Sequence, residues 1–148
     1  MWGLKGKQPK IVTTSPFGRI NLIGFVDPVK GRLLINKIEK GNSDCFIEQL
    51  KFIKNKFRIY KKITVYVDNA KWHKSEKVKD WLCENKRLRI LYLPKYAPDV
   101  NPMERHWWYL RKKKTKNVVF ETKKDCLEKI NEHVNDLTKS EIITICQI

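Results

Sequence analysis

Apolar and polar positions alternate along the first third of the chain in a way that predicts a β-hairpin. Residues 19–26 (RINLIGFV) and 32–39 (RLLINKIE) are apolar, β-prone runs. Between them lies Asp27-Pro28-Val29-Lys30-Gly31, in which proline fixes one backbone dihedral and glycine permits a positive one. The two runs are therefore expected to be antiparallel neighbours.

The apolar spacing then changes to that of a helix. Residues 43–57 can begin with Asn42 or Ser43 as the cap, and their apolar side chains recur on one helical face at Phe46, Ile47, Leu50 and Ile53. The next run, residues 62–67 (KITVYV), is short and β-branched and lies between two helices. It predicts a central strand with both faces covered.

The second half of the chain repeats this alternation. We expect a helix over 74–85 with Val78, Trp81 and Leu82 inward, and a strand over 88–93 that stops at Pro94. Prolines keep 94–101 non-helical, and Asn101-Pro102 favours a helix start because proline suits the first helical position. The remaining predicted helices extend to about Lys114 and over 122–137, the latter with Leu127, Ile130 and Val134 inward.

The element order β-β-α-β-α-β-α-α predicts an α/β fold with a mixed sheet and helices on both faces. The 148 residues suit one domain, 1–148. Within it, residues 1–16 carry scattered glycines and prolines and are expected to be irregular, and 115–148 are expected to form a helical tail.

The charge of the chain points to a polyanionic partner. Its net charge is +16, from 32 Lys and Arg against 16 Asp and Glu, which favours nucleic acid. No apolar run is long enough to span a membrane, and no signal peptide is recognisable, so we expect a cytoplasmic protein. The four cysteines are single and widely spaced, which argues against a zinc site or a disulfide framework.

Two acidic residues stand where chemistry is expected. Asp68 follows the most strongly predicted strand, and the carboxyl ends of strands are where sites form in open α/β sheets. Glu104 lies in the first turn of the third helix. Position alone leaves both open to structural interpretations, because an Asp can cap a turn and a Glu can stabilise a helix dipole.

The surrounding motifs favour the functional interpretation. The first block is Val65-Tyr66-Val67-Asp68-Asn69-Ala70 with His73, and the second is residues 91–104 (LYLPKYAPDVNPME), followed by Trp107. Together they strongly resemble the DDE transposases of bacterial insertion sequences related to the mariner elements. The 35 residues between the two acids also match that family. Lys95, Ala97, Val100 and Met103 depart from its commonest residues, and none is a proposed metal ligand.

The resemblance implies a ribonuclease H-like fold and two-metal phosphoryl transfer. Asp68 would bridge both ions and Glu104 would hold one, with Mg²⁺ as the expected metal and Mn²⁺ as an alternative. Asn69 and His73 would lie near the scissile phosphate or fix the loop. Asn101 would shape the helix start that aims Glu104.

Aromatic and basic residues follow Glu104 on the same helix. At least one of Trp107 and Trp108 should belong to the core, and stacking on a flipped base is an alternative function for the other. Arg111, Lys112, Lys113 and Lys114 would contact phosphate if they face the site, or would otherwise form a solvated basic surface.

By the same resemblance, the first catalytic Asp of the family would lie on a central strand upstream of residue 2. Asp27 is a poor replacement, because it lies in the hairpin turn and too few elements separate it from Asp68. The sheet is therefore expected to lack its first central strand. The protein should then be poorly soluble, or should close the gap by pairing its remaining strands.

Three functions remain open at this stage. The first is a transposase catalytic domain that acts on transposon-end and target DNA, near the nucleoid, as a homodimer or with an upstream transposase fragment. The second is a catalytically inactive remnant that only binds nucleic acid. The third is an unrelated basic RNA-binding protein.

Overall fold

The predicted hairpin is present in the computed structural model, which describes residues 18–95, 100–116 and 118–147. Strand β1 (Asn21–Asp27) pairs antiparallel with β2 (Arg32–Ile38), in a register that runs from Asn21↔Ile38 to Asp27↔Arg32. The Asp27 carboxylate accepts the backbone N–H of Val29 at 3.1 Å and of Lys30 at 3.0 Å. Gly31 completes the turn with a φ of 60°, as its sequence predicts.

The parallel half of the fold follows. Helix α1 (Ser43–Lys56) leads to β3 (Ile63–Val67), a 3₁₀ turn (Lys71–Lys74), α2 (Glu76–Glu84) and β4 (Leu88–Tyr92). Strands β3 and β4 pair in parallel, because α2 crosses over between them. One core joins α1 and α2 to one face of this pair, and its buried members are Phe46, Ile47, Leu50, Val67, Val78 and Leu88.

The second core lies on the other side of the hairpin. It is covered by α3 (Pro102–Leu110), which continues as a π-helical turn (Arg111–Thr115), and by α4 (Lys123–Asp136) and α5 (Lys139–Cys146). Its buried members are Leu33, Met103, Ile142 and Cys146. Since Ile23 packs toward α1 and Val26 toward α3 and α5, the hairpin has helices on both faces, as predicted.

The two strand pairs remain separate sheets among the described residues, so of the two expected outcomes the closure of the gap by strand pairing is not observed, and poor solubility stays a prediction. A cavity of about 720 Å³ lies between them instead, lined by Gly24–Asp27 of β1 and by Lys62 and residues 63–66 of β3. The prediction that both faces of β3 are covered is also wrong. Thr64 and Tyr66 are exposed because no described helix packs on that face.

The remaining predictions have mixed outcomes. Residues 1–16 and 96–99 lie outside the described ranges, so the expected irregular conformations cannot be compared there. The predicted helices end within two residues of the observed ones, except that the 3₁₀ turn precedes α2. The C-terminal tail is helical, but it consists of two helices rather than the one predicted over 122–137. No helix in the described ranges is long and apolar enough to cross a membrane.

Candidate active site

Asp68 lies immediately beyond the carboxyl end of β3. Just before it, the Val67 carbonyl at the end of β3 accepts a hydrogen bond at 2.8 Å from the N–H of Leu93, the residue after β4. The Asp68 side chain is 58% exposed, and its Oδ1 accepts the Ala70 N–H at 3.0 Å. The carboxylate is therefore held by its own turn while remaining open to solvent, as a metal ligand requires.

His73 contacts the same carboxylate oxygen. Its Nδ1 lies 2.8 Å from Asp68 Oδ1 and 3.3 Å from the Asp68 carbonyl oxygen, so the tautomer with a proton on Nδ1 fits this position. The ring is buried between Phe46 and Trp72, with centroid distances of 4.4 and 3.8 Å. Burial lowers the pKa of His73, and the Asp68 carboxylate opposes this only in part. A neutral His73 thus orients Asp68.

Asn69 fixes the loop to the neighbouring strand. Its Nδ2 donates to the Leu93 carbonyl at 2.6 Å, and its Oδ1 accepts from the Lys74 ammonium group. The Tyr92 hydroxyl donates to the His73 carbonyl at 3.2 Å. These bonds connect residues 68–74 to the end of β4, so Asn69 contributes to the scaffold of the loop.

Glu104 is set by the start of α3. Asn101 is the N-cap, and its side chain accepts the Met103 N–H at 3.1 Å, while Pro102 begins the helix. The Glu104 N–H donates to the Asn101 carbonyl at 3.1 Å. Met103 is buried and Glu104 is exposed, so the cap orients the helix with its acid outward. Asn101 has the helix-shaping role that its sequence predicts.

The two motif blocks converge on the cavity between the sheets. Its walls include Val65 and Tyr66 near the end of β3, and residues 93–94 after β4. The start of α3 at residues 100–103 also lines the cavity. Asp68 and Glu104 each follow one of these lining segments by one or two residues. The chain segments that precede both acids therefore line the same cavity.

Carboxylate oxygens are the ligands that Mg²⁺ prefers, and both acids are exposed enough to leave room for water ligands. The described residues nevertheless contain no cluster of three or more His, Cys, Asp or Glu that could hold a metal ion. Asp27 is engaged in the hairpin turn, and Asp44 pairs with Lys77 on α2. The described donor set is thus suitable in chemistry but short of a third carboxylate.

The basic residues after Glu104 differ in exposure. Arg111, Lys112 and Lys113 are exposed, whereas Lys114 is half-buried close to His133. The sequence left the choice between the two tryptophans open. Trp107 packs in the second core against Met103, and Trp108 is 63% exposed.

The sequence analysis did not predict a buried pair of histidines. His106 on α3 stacks on His133 of α4 with a centroid distance of 5.5 Å, and neither His106 ring nitrogen has a hydrogen-bond partner among the described residues. Burial, and secondarily His133, lower the pKa of His106 to about 4. The sequence does indicate that His106 is buried, because residues 103, 106, 107 and 110 have the spacing of one helical face.

Comparison with known proteins identifies a family and a fold. A family model described as DDE superfamily endonuclease matches residues 1–127. The insertion element IS630 uncharacterized 39 kDa protein of Shigella sonnei is 36% identical over 116 residues, which are 78% of this chain and 34% of that protein. The chain thus spans about a third of this curated relative.

Solved structures of the Mos1 mariner transposase share the fold. The paired end complex with Mn is 18% identical, with a TM-score of 0.73 over 99% of this chain and 46% of that one. The Mos1 catalytic domain with raltegravir and Mg is also 18% identical, with a TM-score of 0.68 over 86% of this chain and 68% of the other. The ribonuclease H-like α/β architecture predicted from the sequence is confirmed by this similarity.

Proposed function

This chain belongs to the DDE superfamily endonucleases, and from that premise we propose that it is the catalytic domain of a DNA transposase. It would cleave DNA at transposon ends and join those ends to target DNA. The observation that carries the proposal is that the segments preceding Asp68 and Glu104 line the same cavity.

Asp68 and Glu104 are proposed to bind Mg²⁺, with Mn²⁺ as a substitute. Bound divalent ions would activate an oxygen nucleophile and stabilise the leaving oxygen of a phosphodiester. The structures of Mos1 with Mg and with Mn support the choice of metal. Among described residues, Asp68 Oδ2 has no hydrogen-bond partner, so this oxygen is available to a cation.

The protein's own contribution would be orientation. His73 and the Ala70 N–H hold Oδ1 of Asp68, so Oδ2 keeps one direction. Asn101 and Pro102 fix the first turn of α3 and with it Glu104. Rigid support of this kind raises metal affinity because less side-chain freedom is lost on binding.

A third carboxylate would come from a segment other than the four described strands. The cavity between β1 and β3 supports this, because each of these strands has one described neighbour and a free edge facing the gap. An added strand there could bond to both edges and end near Asp68. An upstream transposase segment, in the same or a separate chain, is our proposed source.

One competing function has an observation in its favour. Because the described residues lack a third clustered acid, the chain could be an inactive remnant that binds nucleic acid through its +16 charge. Metal binding separates the two proposals, since an inactive remnant has no reason to keep a cation site.

The test is a titration of the protein with Mn²⁺. Binding is measured as the decrease in the paramagnetic resonance signal of free Mn²⁺. Asp68→Asn and Glu104→Gln should each weaken binding at least tenfold. Asp80→Asn, which removes an exposed acid on α2, is the matched control and should leave binding unchanged. Equal, weak binding by all four proteins would contradict the proposed metal site and favour the remnant.

A further inference from the structure

We propose that Trp108 and Lys112 form a stacking site for an unpaired DNA base beside Glu104. The inference rests on the proposed function, because it names the form of DNA that the site would hold. The bound group would be a nucleobase of single-stranded DNA, next to the phosphate that is cut.

The orientation of α3 places Trp108 on the side of Glu104. Met103, His106 and Leu110 are buried and Trp107 is half-buried, so this side of α3 faces the second core. Glu104 and Trp108 are four residues apart and both exposed, on the opposite side. Four residues of α-helix rise about 6 Å, so the ring lies one turn from the acid.

Trp108 is unlike the other described tryptophans. Trp72, Trp81 and Trp107 are half-buried members of the two cores, whereas Trp108 is 63% exposed. A large apolar ring in solvent gains free energy when a partner covers it. The position one turn after Glu104 makes DNA at the active site the partner within reach.

Lys112 places a positive charge beside the Trp108 ring, which favours a nucleotide as the bound group. Its Nζ lies 4.8 Å from the centroid of the Trp108 ring, and this is the one ring contact that Trp108 makes within the described ranges. The second ring face thus has no aromatic or cationic neighbour there. A base can stack on such a face while the ammonium group attracts the attached phosphate.

The occupant must be unpaired DNA rather than a duplex. Inside a duplex both faces of each base are covered by neighbouring bases, so an aromatic ring has no free face to contact. Arg111 and Lys113 are exposed beside Lys112, and they supply the charge that holds the strand.

The experiment compares single-stranded with duplex oligonucleotides, using residues 1–148. Trp108→Ala should weaken single-strand binding by about 5- to 100-fold and duplex binding much less, and Trp108→Phe should keep most of the affinity. The matched control is Phe52→Ala, because Phe52 is an exposed ring on α1 with Lys56 Nζ 5.7 Å from its centroid. That control should change nothing.

Two further readouts separate stacking from charge. An abasic nucleotide at the contact position should weaken binding to the parent protein but not to Trp108→Ala. Lys112→Gln should lower the slope of log affinity against log salt by about 1, and Trp108→Ala should leave the slope unchanged.

Different results would contradict the stacking site and the proposed function. Equal losses for Trp108→Ala and Phe52→Ala, or equal losses on single-stranded and duplex DNA, would overturn the stacking site while leaving the proposed function intact. Absence of salt-sensitive DNA binding by the parent protein would overturn both.

Discussion

The Asp68 carboxylate is held on one oxygen and left open on the other. His73 and the Ala70 N–H both contact Oδ1, and His73 itself is fixed by Phe46 and Trp72 in the first core. The hydrophobic core is therefore connected to the proposed metal ligand through a single imidazole. We therefore propose that His73 is a positioning residue for Asp68.

Two substitutions at His73 should separate its hydrogen bond from its packing. His73→Phe keeps a buried ring but loses the donor, so Mn²⁺ affinity should fall by about 10- to 100-fold with little loss of stability. His73→Asn keeps a donor but loses ring contacts, so affinity should be largely retained while the midpoint of chemical denaturation decreases. Unchanged Mn²⁺ affinity in His73→Phe would exclude the positioning role.

At this scale the sequence motifs led to Asp68, Glu104 and the helix-capping Asn101, because each follows a recognisable strand or helix boundary. The motifs did not establish what His73 does. Its contact depends on the 3₁₀ turn Lys71–Lys74, which returns the ring to Asp68. No periodic pattern in the sequence encodes that turn, so the sequence left open whether His73 lies near the scissile phosphate or fixes the loop.

Helix α3 and its extension carry most of the residues proposed for the site. Its first turn presents Glu104, its outer side carries Trp108, and its π-helical extension carries Arg111–Lys113. Its inner side contributes His106, which is fully buried against His133 of α4. The position of this one helix therefore depends on a pair of rings that can take up protons.

The stability of the α3–α4 contact should depend on pH. His106 has a pKa of about 4 in the folded chain against an ordinary 6.5, so protons bind the unfolded state more tightly. Stability is then full above pH 6.5 and is lost as pH falls toward 4, by about 3 kcal/mol. Urea denaturation at pH 7.5 and pH 5 should detect the loss.

His106→Phe is the variant that isolates this effect. It should flatten the pH dependence, and it should also remove two buried nitrogens that have no described hydrogen-bond partner. Burial, and secondarily Lys114, also lower the pKa of His133, while Asp136 and Glu141 oppose this, so a smaller slope from that ring should remain. An identical pH dependence in the parent and in His106→Phe would contradict the assignment to His106.

The elements that could be predicted are those with long apolar periodicity, such as α1 and the hairpin. Helix α5 was missed as a separate element because its eight residues are short for a periodic pattern. Its capping box was nevertheless readable, since Thr138 and Glu141 have the required spacing and each side chain bonds the other's backbone N–H.

The charge of the whole molecule implies DNA binding that is sensitive to salt and largely independent of sequence. Replacing Arg111, Lys112 and Lys113 together by Gln should lower the slope of log affinity against log salt by about 2 to 3. The control removes three charges from the exposed side of α4, by replacing Lys123, Lys124 and Lys129 with Gln. This variant should lower the salt slope less. Equal slopes for the two triple variants would place the DNA path elsewhere.

The division of the sheet could be anticipated only in part. The resemblance predicted a sheet that lacks a central strand, and among the described residues the hairpin and β3 do not pair with each other. Sequence patterns gave no indication of whether β1 and β3 would pair with each other. Both strands contact the first core, β1 through Ile23 and β3 through Val65 and Val67, while the hairpin is also fixed to α3 and α5 in the second core.

The gap leads to a prediction about activity. Residues 1–148 alone should not cleave DNA in Mg²⁺, because Asp68 and Glu104 supply too few fixed oxygens for two ions, which two-metal transfer holds about 3.5–4 Å apart. Adding an upstream transposase segment with a strand and an Asp should restore nicking of transposon-end DNA when the DNA-recognition module is also supplied. Solubility should improve as well, because the strand would cover the edges of β1 and β3 that have no partner among the described residues.

The decisive comparison uses two versions of that segment, one with the Asp and one with Asn in its place. Both should improve solubility, since the added strand fills the cavity in either case, but only the Asp version should restore Mg²⁺-dependent nicking. Robust cleavage by residues 1–148 alone, abolished by Asp68→Ala, would show that the chain already holds a complete site. Asp27, Glu39 and Asp44 would then be the residues to substitute, and Asp27 would have to leave the hairpin turn in which its carboxylate now accepts two backbone hydrogen bonds.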